Sequence, residues 1–292
     1  GDDVADVVEK VTPFLGTIGD HGPHAIRRGP DGSMRLHVGN MSDVPKAAID
    51  PGSPIRDLRE GYLLPPYFDP RGHAVGVLAP GSQVYRYNPD KKTFTSMFAG
   101  MRNAYDHAYN LAGEAFSFDS DMEWDINLPW FRDTRTVHGT TGGEMGWRSG
   151  SRNLPAYYID TLPPVRDLGR GSPVGIEFYH HYVYPKQFHD MPFEADWSRG
   201  RLLYTELTPS GASFKARDDR AEFVHGEPLN ITDLEVGPDG HMYFSAGGRT
   251  TGGAVYRIRY TGPPTPQPDM RGILGVVRQP QPLSSWGWAA IE

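Results

Sequence analysis

Glycine and proline are so frequent in this sequence that they limit the folds it can form. The 292 residues include 35 Gly and 27 Pro, close to twice the number expected from an average usage of about 12% for the two together. Each interrupts a helix interior, at a cost of about 1 kcal/mol for Gly and about 3 kcal/mol for Pro. Helical bundles, coiled coils and Rossmann-type α/β folds are therefore disfavoured, and the sequence favours an all-β fold with many turns.

The remaining composition excludes several classes of protein. With 38% hydrophobic and 12% aromatic residues, the chain is too apolar to be disordered. The absence of Cys excludes disulfides, thiolate nucleophiles, thiolate zinc sites and iron–sulfur clusters. The net charge of −7 disfavours nucleic acids and anionic membranes as partners. The apolar runs are too short to predict a membrane span.

Short β-prone runs alternate with turns along the chain. Gly-Pro-Asp-Gly occurs at residues 29–32 before the run Met34–Val38, and again at residues 237–240 before a second run, as is typical of β-hairpins. Repeated hairpins predict about four blades of a β-propeller. Helix is expected only near residues 3–11 and 104–111 and at the end of the chain. Further strands are expected over 74–78, 84–87, 114–118, 174–178, 202–207, 241–244 and 254–260.

Two histidines are the first candidates for chemistry. His21 and His24 lie just before the turn at 29–32, and the first strand of a propeller blade lines the central channel. Because the pKa of His lies near neutrality, a His at this place can act as a base on a bound ligand. The alternative is a structural His that forms hydrogen bonds with the backbone.

Two polar clusters follow. Arg102, Asn103, Asp106 and His107 lie within six residues, a combination that suits a polyhydroxylated or anionic ligand or, alternatively, an ion pair that fixes a loop. A run with acids at every second position can supply oxygen ligands to calcium, or it can be a solvated acidic loop. The acids of this run are Asp119, Asp121, Glu123 and Asp125.

Tryptophan stands beside basic side chains at two further positions. Trp147 precedes Arg148, and Trp197 is two residues before Arg199. Indole faces stack on sugar rings, but Trp also commonly fills a core, and both interpretations stay open. The sequence has no GxSxG, GxGxxG, P-loop or HExxH motif, so the hydrolase, dinucleotide, NTPase and zincin hypotheses have no support.

The order of these motifs resembles the glucose/sorbosone dehydrogenase superfamily of six-bladed propellers. The motifs are His-Gly-Pro-His at 21–24, Gly-Pro-Asp-Gly at 29–32, Gly-Met-Arg-Asn at 100–103, Gly-Trp at 146–147, Asp-Trp-Ser-Arg-Gly at 196–200 and Gly-Pro-Asp-Gly at 237–240. Residues 103–110, 119–125 and 146–150 resemble more closely the membrane-bound dehydrogenase domains of planctomycetes and verrucomicrobia. There, a helical region and a c-type haem domain commonly follow the propeller.

The resemblance implies a domain division and a location. Residues 1–260 would form the propeller, with about two N-terminal blades missing. Residues 261–292, which begin with a Pro-rich stretch, would form a linker and the start of a helical region. The resemblance also implies a periplasmic or secreted protein with a carbohydrate substrate and a haem domain as a possible partner on the same chain.

The resemblance further implies roles for individual residues. His21 matches the general base that takes the sugar hydroxyl proton during hydride transfer to pyrroloquinoline quinone, and Arg102 and Asn103 match the pair that contacts cofactor and substrate. The quinone-binding Lys of the family falls near Ser198, so Arg199 and Arg201 remain as cations there. The further binding residues expected are His24, Asp106, His107, Trp147, Arg148 and Trp197.

The leading hypothesis is therefore an oxidoreductase that acts on a sugar or a sugar-derived alcohol or aldehyde, with a quinone and with calcium held by the 119–125 acids. One alternative is a metal-assisted lyase or dehydratase on a keto-sugar. Another is a propeller that binds carbohydrate without turnover, since a fold does not determine a function.

Overall fold

The computed structural model describes residues 4–17, 19–55, 75–125, 128–148, 154, 157–159, 161–217 and 221–265. These residues form β-strands joined by turns, with two short 3-10 helices at Lys46–Ala48 and Lys186–Phe188 and no α-helix in the described ranges. The strands are β1 (Leu15–Gly16), β2 (Pro23–Arg28), β3 (Met34–Val38), β4 (Ser42–Asp43), β5 (Ser82–Asn88), β6 (Thr93–Met101), β7 (His107–Tyr109), β8 (Ala115–Asp119), β9 (Met122–Asp125), β10 (Leu128–Arg132), β11 (Thr134–Gly139), β12 (Gly143–Glu144), β13 (Arg166–Gly169), β14 (Pro173–Phe178), β15 (Pro192–Asp196), β16 (Arg201–Tyr204), β17 (Leu207–Ser210), β18 (Ser213–Ala216), β19 (Ala221–His225), β20 (Ile231–Val236), β21 (Met242–Gly248) and β22 (Thr251–Ile258).

Four antiparallel sheets account for most of these strands. Their orders are β2-β3-β5-β6, with the short β12 added parallel to β6, then β7-β8-β11-β13, β14-β15-β16-β19 and β20-β21-β22. The first strands of successive sheets are neighbours: β2 contacts β7, β7 contacts β14, and β14 contacts β20. Each sheet is therefore a blade that places its first strand toward a common axis, and the prediction of about four blades is confirmed.

The hydrophobic core lies between adjacent blades. Phe98 and Val137 pack in the layer between the first and second blades, Phe116 and Phe178 between the second and third, and Leu202 and Phe244 between the third and fourth. Each blade therefore buries apolar side chains against its neighbours, the arrangement that makes radial repetition stable.

The helix expectations were wrong where the structure describes them. Residues 4–11 are irregular, and Val7 and Val8 are 83% and 88% exposed, so no packed apolar face stabilises a helix there. Within residues 104–111, the strand β7 pairs with β8 instead. The strand expected over 74–78 is also wrong for residues 75–78, which contain one isolated bridge position and a turn before the strand Ser82–Asn88. No helix of the described part is long and apolar enough to span a membrane.

A charged cluster occupies the axis between the first strands. The Arg27 guanidinium contacts carboxylates from three other blades: Nε donates to Asp106 Oδ1 at 2.9 Å, and Nη1 lies 3.1 Å from Glu177 and 3.2 Å from Glu235. Burial and the neighbouring Glu235 outweigh the attraction of Arg27 and raise the pKa of Glu177 to about 8. Asp106, expected to bind a ligand, thus serves as an ion-pair partner that joins blades.

This cluster predicts a pH dependence of stability. Between pH 4.5, the usual pKa of the carboxyl, and about 8, the folded protein keeps a proton on Glu177 that the unfolded chain has released. The free energy of unfolding should therefore fall as pH rises through this window. In Glu177→Gln we expect a flatter slope and a gain of about 1 kcal/mol or more at pH 8, measured by urea unfolding. Glu222→Gln, on β19, is the control, and equal slopes in Glu177→Gln and wild type would contradict the prediction.

Candidate functional site

One cavity of about 450 Å³ is lined by residues from all four blades, and we call it the His21 cavity. Half of its ten polar and charged residues come from the loops that precede the first strands. The ten are Asp20, His21, Arg102, Asn103, Ser120, Asp121, Glu123, Ser172, Thr232 and Arg249, and the other lining residues are Tyr105, Gly171, Pro173, Val174, Trp197 and Gly248. The structure therefore brings together six of the residues singled out from the sequence: His21, Arg102, Asn103, Asp121, Glu123 and Trp197.

The His21 ring is oriented by Asn40. His21 is only 8% exposed, and its Nδ1 lies 2.5 Å from Asn40 Oδ1. An amide oxygen can only accept, so Nδ1 carries the proton and Nε2 is the basic nitrogen of the neutral ring. The turn that carries Asn40 lies close to the backbone, since a Cβ on Gly39 would meet His21 O at 2.5 Å and Asn103 Oδ1 at 2.4 Å. Only Gly at position 39 therefore allows this turn to lie so close to His21 and Asn103.

Asn103 connects the second blade to the loop that bears His21. Its Nδ2 donates to Asp20 O at 3.0 Å, and its Oδ1 accepts from His24 Nε2 at 2.9 Å. The His24 ring stacks on Tyr105 with centroids 3.9 Å apart, and burial lowers the pKa of His24. His24 therefore supports Asn103 through this hydrogen bond but does not line the His21 cavity.

Asp119 fixes the turn that presents Arg102 and Asn103. Its carboxylate is 1% exposed, and Oδ1 accepts from the backbone N–H groups of Arg102 at 2.9 Å and Asn103 at 3.2 Å. The same oxygen accepts from Ser120 N at 2.9 Å. Its other oxygen accepts from Arg135 Nε at 3.2 Å and Nη2 at 3.0 Å. All of these bonds occupy the oxygens that a metal ion would need.

Among the described residues, the acids expected to bind calcium do not form a metal site. The side chain of Asp125 lies outside the described part, and among the described residues no group of three or more His, Asp or Glu could hold a metal. Glu123 pairs with Arg102 at 3.3 Å. Asp121 points into the cavity, where burial and the charge of Glu123 raise its pKa to about 6.

The remaining charges of the cavity are also paired. Arg249 Nη2 lies 3.2 Å from Asp20 Oδ2, and its guanidinium stacks over Trp197 at 5.4 Å. The indole Nε1 of Trp197 donates to Gly247 O at 2.8 Å, so its orientation is fixed. The cavity thus offers one imidazole base, paired guanidinium groups and an aromatic wall.

Other residues expected at the site lie elsewhere. His107 is fully buried, and burial, with Arg27 and Arg35 nearby, lowers its pKa to about 3. Trp147 packs against Met122 in the core, and Arg148 donates to Glu144 at 2.8 Å. Arg199 lines an adjoining cavity. Charge and aromatic character alone did not distinguish these structural roles from binding roles.

The sequence reasoning also missed residues of the cavity. Asp20 and Tyr105 adjoin residues that were singled out, so their proximity in sequence could have indicated them. Residues 171–174 and Arg249 come from the third and fourth blades. No local pattern marks them, because only the closure of the blades around the axis brings them to His21.

The comparisons with known proteins agree with this architecture. No protein-family model and no curated protein matches the sequence. An oxidoreductase of the glucose dehydrogenase type from a Thermus species matches with 16% identity and a TM-score of 0.54, over 82% of this chain and 66% of its own. A second glucose dehydrogenase structure matches with 14% identity and a TM-score of 0.56, over 84% of this chain and 65% of its own.

At this level of identity the likeness establishes a shared fold, and it confirms the all-β propeller expected from the resemblance. The chain spans less than two thirds of the length of both structures. The closer resemblance to the dehydrogenase domains of planctomycetes and verrucomicrobia stays a prediction.

The Asp119 interactions predict a large loss of stability on substitution. Asp119→Asn removes the charge that faces buried Arg135, and breaking a buried pair costs about 3–5 kcal/mol. Asp121→Asn is the matched control, because burial raises the pKa of that carboxyl and its charge therefore does not stabilise the folded protein. We expect urea unfolding at pH 7 to show the loss for Asp119→Asn and little change for Asp121→Asn. Equal effects would contradict the assignment of Asp119 as the structural carboxylate.

Proposed function

We propose that this protein oxidises a hydroxyl of a sugar or sugar-derived alcohol, with His21 as the general base. The observation that supports the proposal is the His21–Asn40 hydrogen bond of 2.5 Å, which directs Nδ1 to Asn40 and makes Nε2 the nitrogen of the neutral ring that can take a proton, in a cavity lined by residues of four blades. A base of this kind contributes about 10²–10⁴-fold to a proton transfer. The fold shared with two glucose dehydrogenases supports the same reaction class.

The neighbouring residues suit the recognition of a polyol. The Arg102 guanidinium and the Asn103 amide present donors for hydroxyl oxygens, and the Trp197 face offers a surface for a sugar ring. In the reaction the substrate hydroxyl gives its proton to His21 Nε2. The hydrogen on the same carbon leaves as a hydride to a two-electron acceptor such as a quinone-imine dye, and the C–O bond becomes C=O.

The His21 cavity does not fit the cofactors that the resemblance implies. Pyrroloquinoline quinone carries three carboxylates, and the binding of such a ligand requires several cationic side chains. In the His21 cavity Arg102 and Arg249 are already paired with Glu123 and Asp20. Asp121 adds a further acid. These residues do not fit a tricarboxylate, nor does the Asp119 carboxylate fit calcium, so we derive no step through either group.

Two further expectations concern the whole protein. The resemblance implies a c-type haem domain on the same chain as an electron acceptor and a periplasmic or secreted location. Both belong to this proposal: a haem domain would take the two electrons of each oxidation one at a time from the reduced two-electron acceptor, and the location rests on the resemblance alone.

A lyase or dehydratase on a keto-sugar is the second candidate. Asp121 favours it, because a carboxyl with a pKa raised to about 6 in the His21 cavity can act as an acid. His21 would remove the proton next to the carbonyl, and Asp121 would protonate the departing hydroxyl to release water. This reaction needs no electron acceptor.

An acceptor-coupled assay tests the proposal. We expect the protein to reduce an artificial acceptor such as dichlorophenolindophenol in the presence of an aldose or a sugar acid. His21→Gln should lower kcat/KM by about 10²-fold or more. Asn40→Ala should lower it less, because it removes only the orienting bond of the imidazole.

The structure provides a control variant for the acceptor-coupled assay, and two results would contradict the proposed oxidation. His180→Gln is the control, since His180 pairs with Asp190 at 3.2 Å outside the His21 cavity, and it should retain full activity. If a dehydrated product forms and the acceptor is not reduced, the lyase reaction takes the place of the oxidation as the function of this site. Unchanged activity in His21→Gln would remove His21 from the mechanism.

A further inference from the structure

A second cavity, of about 530 Å³, adjoins the His21 cavity, and we call it the arginine cavity. The two cavities share Asp121, Glu123, Gly171 and Ser172 as lining residues. A ligand in one can therefore extend into the other. The basic residues of the arginine cavity are Arg170 and Arg199.

These two arginines differ from the other arginines that surround the site. Arg102 and Arg249 each lie within 3.3 Å of a carboxylate oxygen. In the described ranges, neither the Arg170 nor the Arg199 guanidinium forms an ion pair or a hydrogen bond; Arg170 lies over the Phe131 ring at 4.7 Å. Both arginines thus line this cavity without a carboxylate partner among the described residues.

The loops that carry these arginines are fixed by one buried carboxylate. Asp196 is fully buried, and its Oδ1 accepts from Ser172 N at 2.8 Å and from Arg199 N at 3.3 Å. A Cβ on Gly171 would meet Asp196 Oδ2 at 2.4 Å, so only Gly allows this approach.

Arg201 completes the arrangement. Its Nε donates to Asp196 Oδ2 at 3.0 Å, and its Nη2 donates to Leu168 O and Arg170 O, both at 3.3 Å. The backbone at both free arginines is thus ordered before any ligand binds, which lowers the entropic cost of binding.

We propose that Arg170 and Arg199 form a carboxylate-binding subsite that makes anionic sugars such as hexuronates preferred ligands over neutral hexoses. Guanidinium groups bind carboxylates through paired N–H donors. The inference rests on the proposed function, because it places the carboxylate in the arginine cavity and the reacting hydroxyl beside His21. A carboxylated quinone could also present carboxylates to these arginines. Two guanidinium groups, however, match a ligand with one carboxylate better than a quinone with three carboxylates.

Calorimetric binding, which needs no turnover, tests the subsite. We expect wild type to bind D-glucuronate more tightly than D-glucose, with an affinity for glucuronate that falls as salt rises. Arg170→Gln and Arg199→Gln should each weaken glucuronate binding about 10-fold or more, as expected for charged hydrogen bonds. The double variant should bind the two sugars equally, and glucose binding should not change.

The control is Arg259→Gln, because Arg259 is exposed, follows β22 and lines neither cavity. It should bind glucuronate as wild type does. If the double variant is poorly folded, the single variants and the salt dependence provide the same test. Wild-type affinity for glucuronate in both single variants, or tighter binding of glucose than of glucuronate by wild type, would overturn the subsite.

A further titration distinguishes the two sources of carboxylate. If the arginine variants lose binding of pyrroloquinoline quinone while their glucuronate affinity is unchanged, the pair serves a cofactor and the proposal fails. If glucuronate binding depends on the arginines but no acceptor is reduced, the subsite stands and the proposed oxidation fails.

Discussion

The loops that line the His21 cavity and the arginine cavity depend on one interaction, a buried Asp–Arg pair at the end of a blade's second strand. Asp119 ends β8 and pairs with Arg135 on β11, and Asp196 ends β15 and pairs with Arg201 on β16. Each carboxylate also accepts N–H groups from the loop before its blade's first strand. The same device therefore presents Arg102 and Asn103 in one blade and the loop of Arg170 in the next.

This repetition explains why some arginines are available to a ligand and others are not. Arg135 and Arg201 neutralise buried carboxylates, and losing either would leave a charge without compensation. Because other groups of the protein satisfy the buried acids, the backbone at Arg170 and Arg199 is fixed, while in the described part their guanidinium groups form no ion pair or hydrogen bond. Asn40 orders His21 in a comparable way, through a neutral amide.

Local patterns predicted the parts of the fold and site that local chemistry determines. The turn at 29–32 and the strand Met34–Val38 follow from Gly-Pro-Asp-Gly and the β-prone run after it, and Gly32 has φ of 76°. His21, Arg102 and Asn103 were found through motif order. The acidic run predicts a calcium loop or a solvated loop, because the partner of Asp119, Arg135, lies sixteen residues further on and no local pattern indicates it. The residues that the third and fourth blades contribute to the His21 cavity could not be predicted, because only the arrangement of the blades around the axis brings them close to His21.

The most direct test of the account is the protonation of the His21 ring, measured by ¹⁵N NMR of the imidazole nitrogens at neutral pH, with Asn40→Ala for comparison. We expect a proton on Nδ1 and an unprotonated Nε2 in wild type, and a mixture of tautomers in Asn40→Ala. A proton on Nε2 in wild type would contradict it, because the nitrogen proposed to take the substrate proton would already carry one.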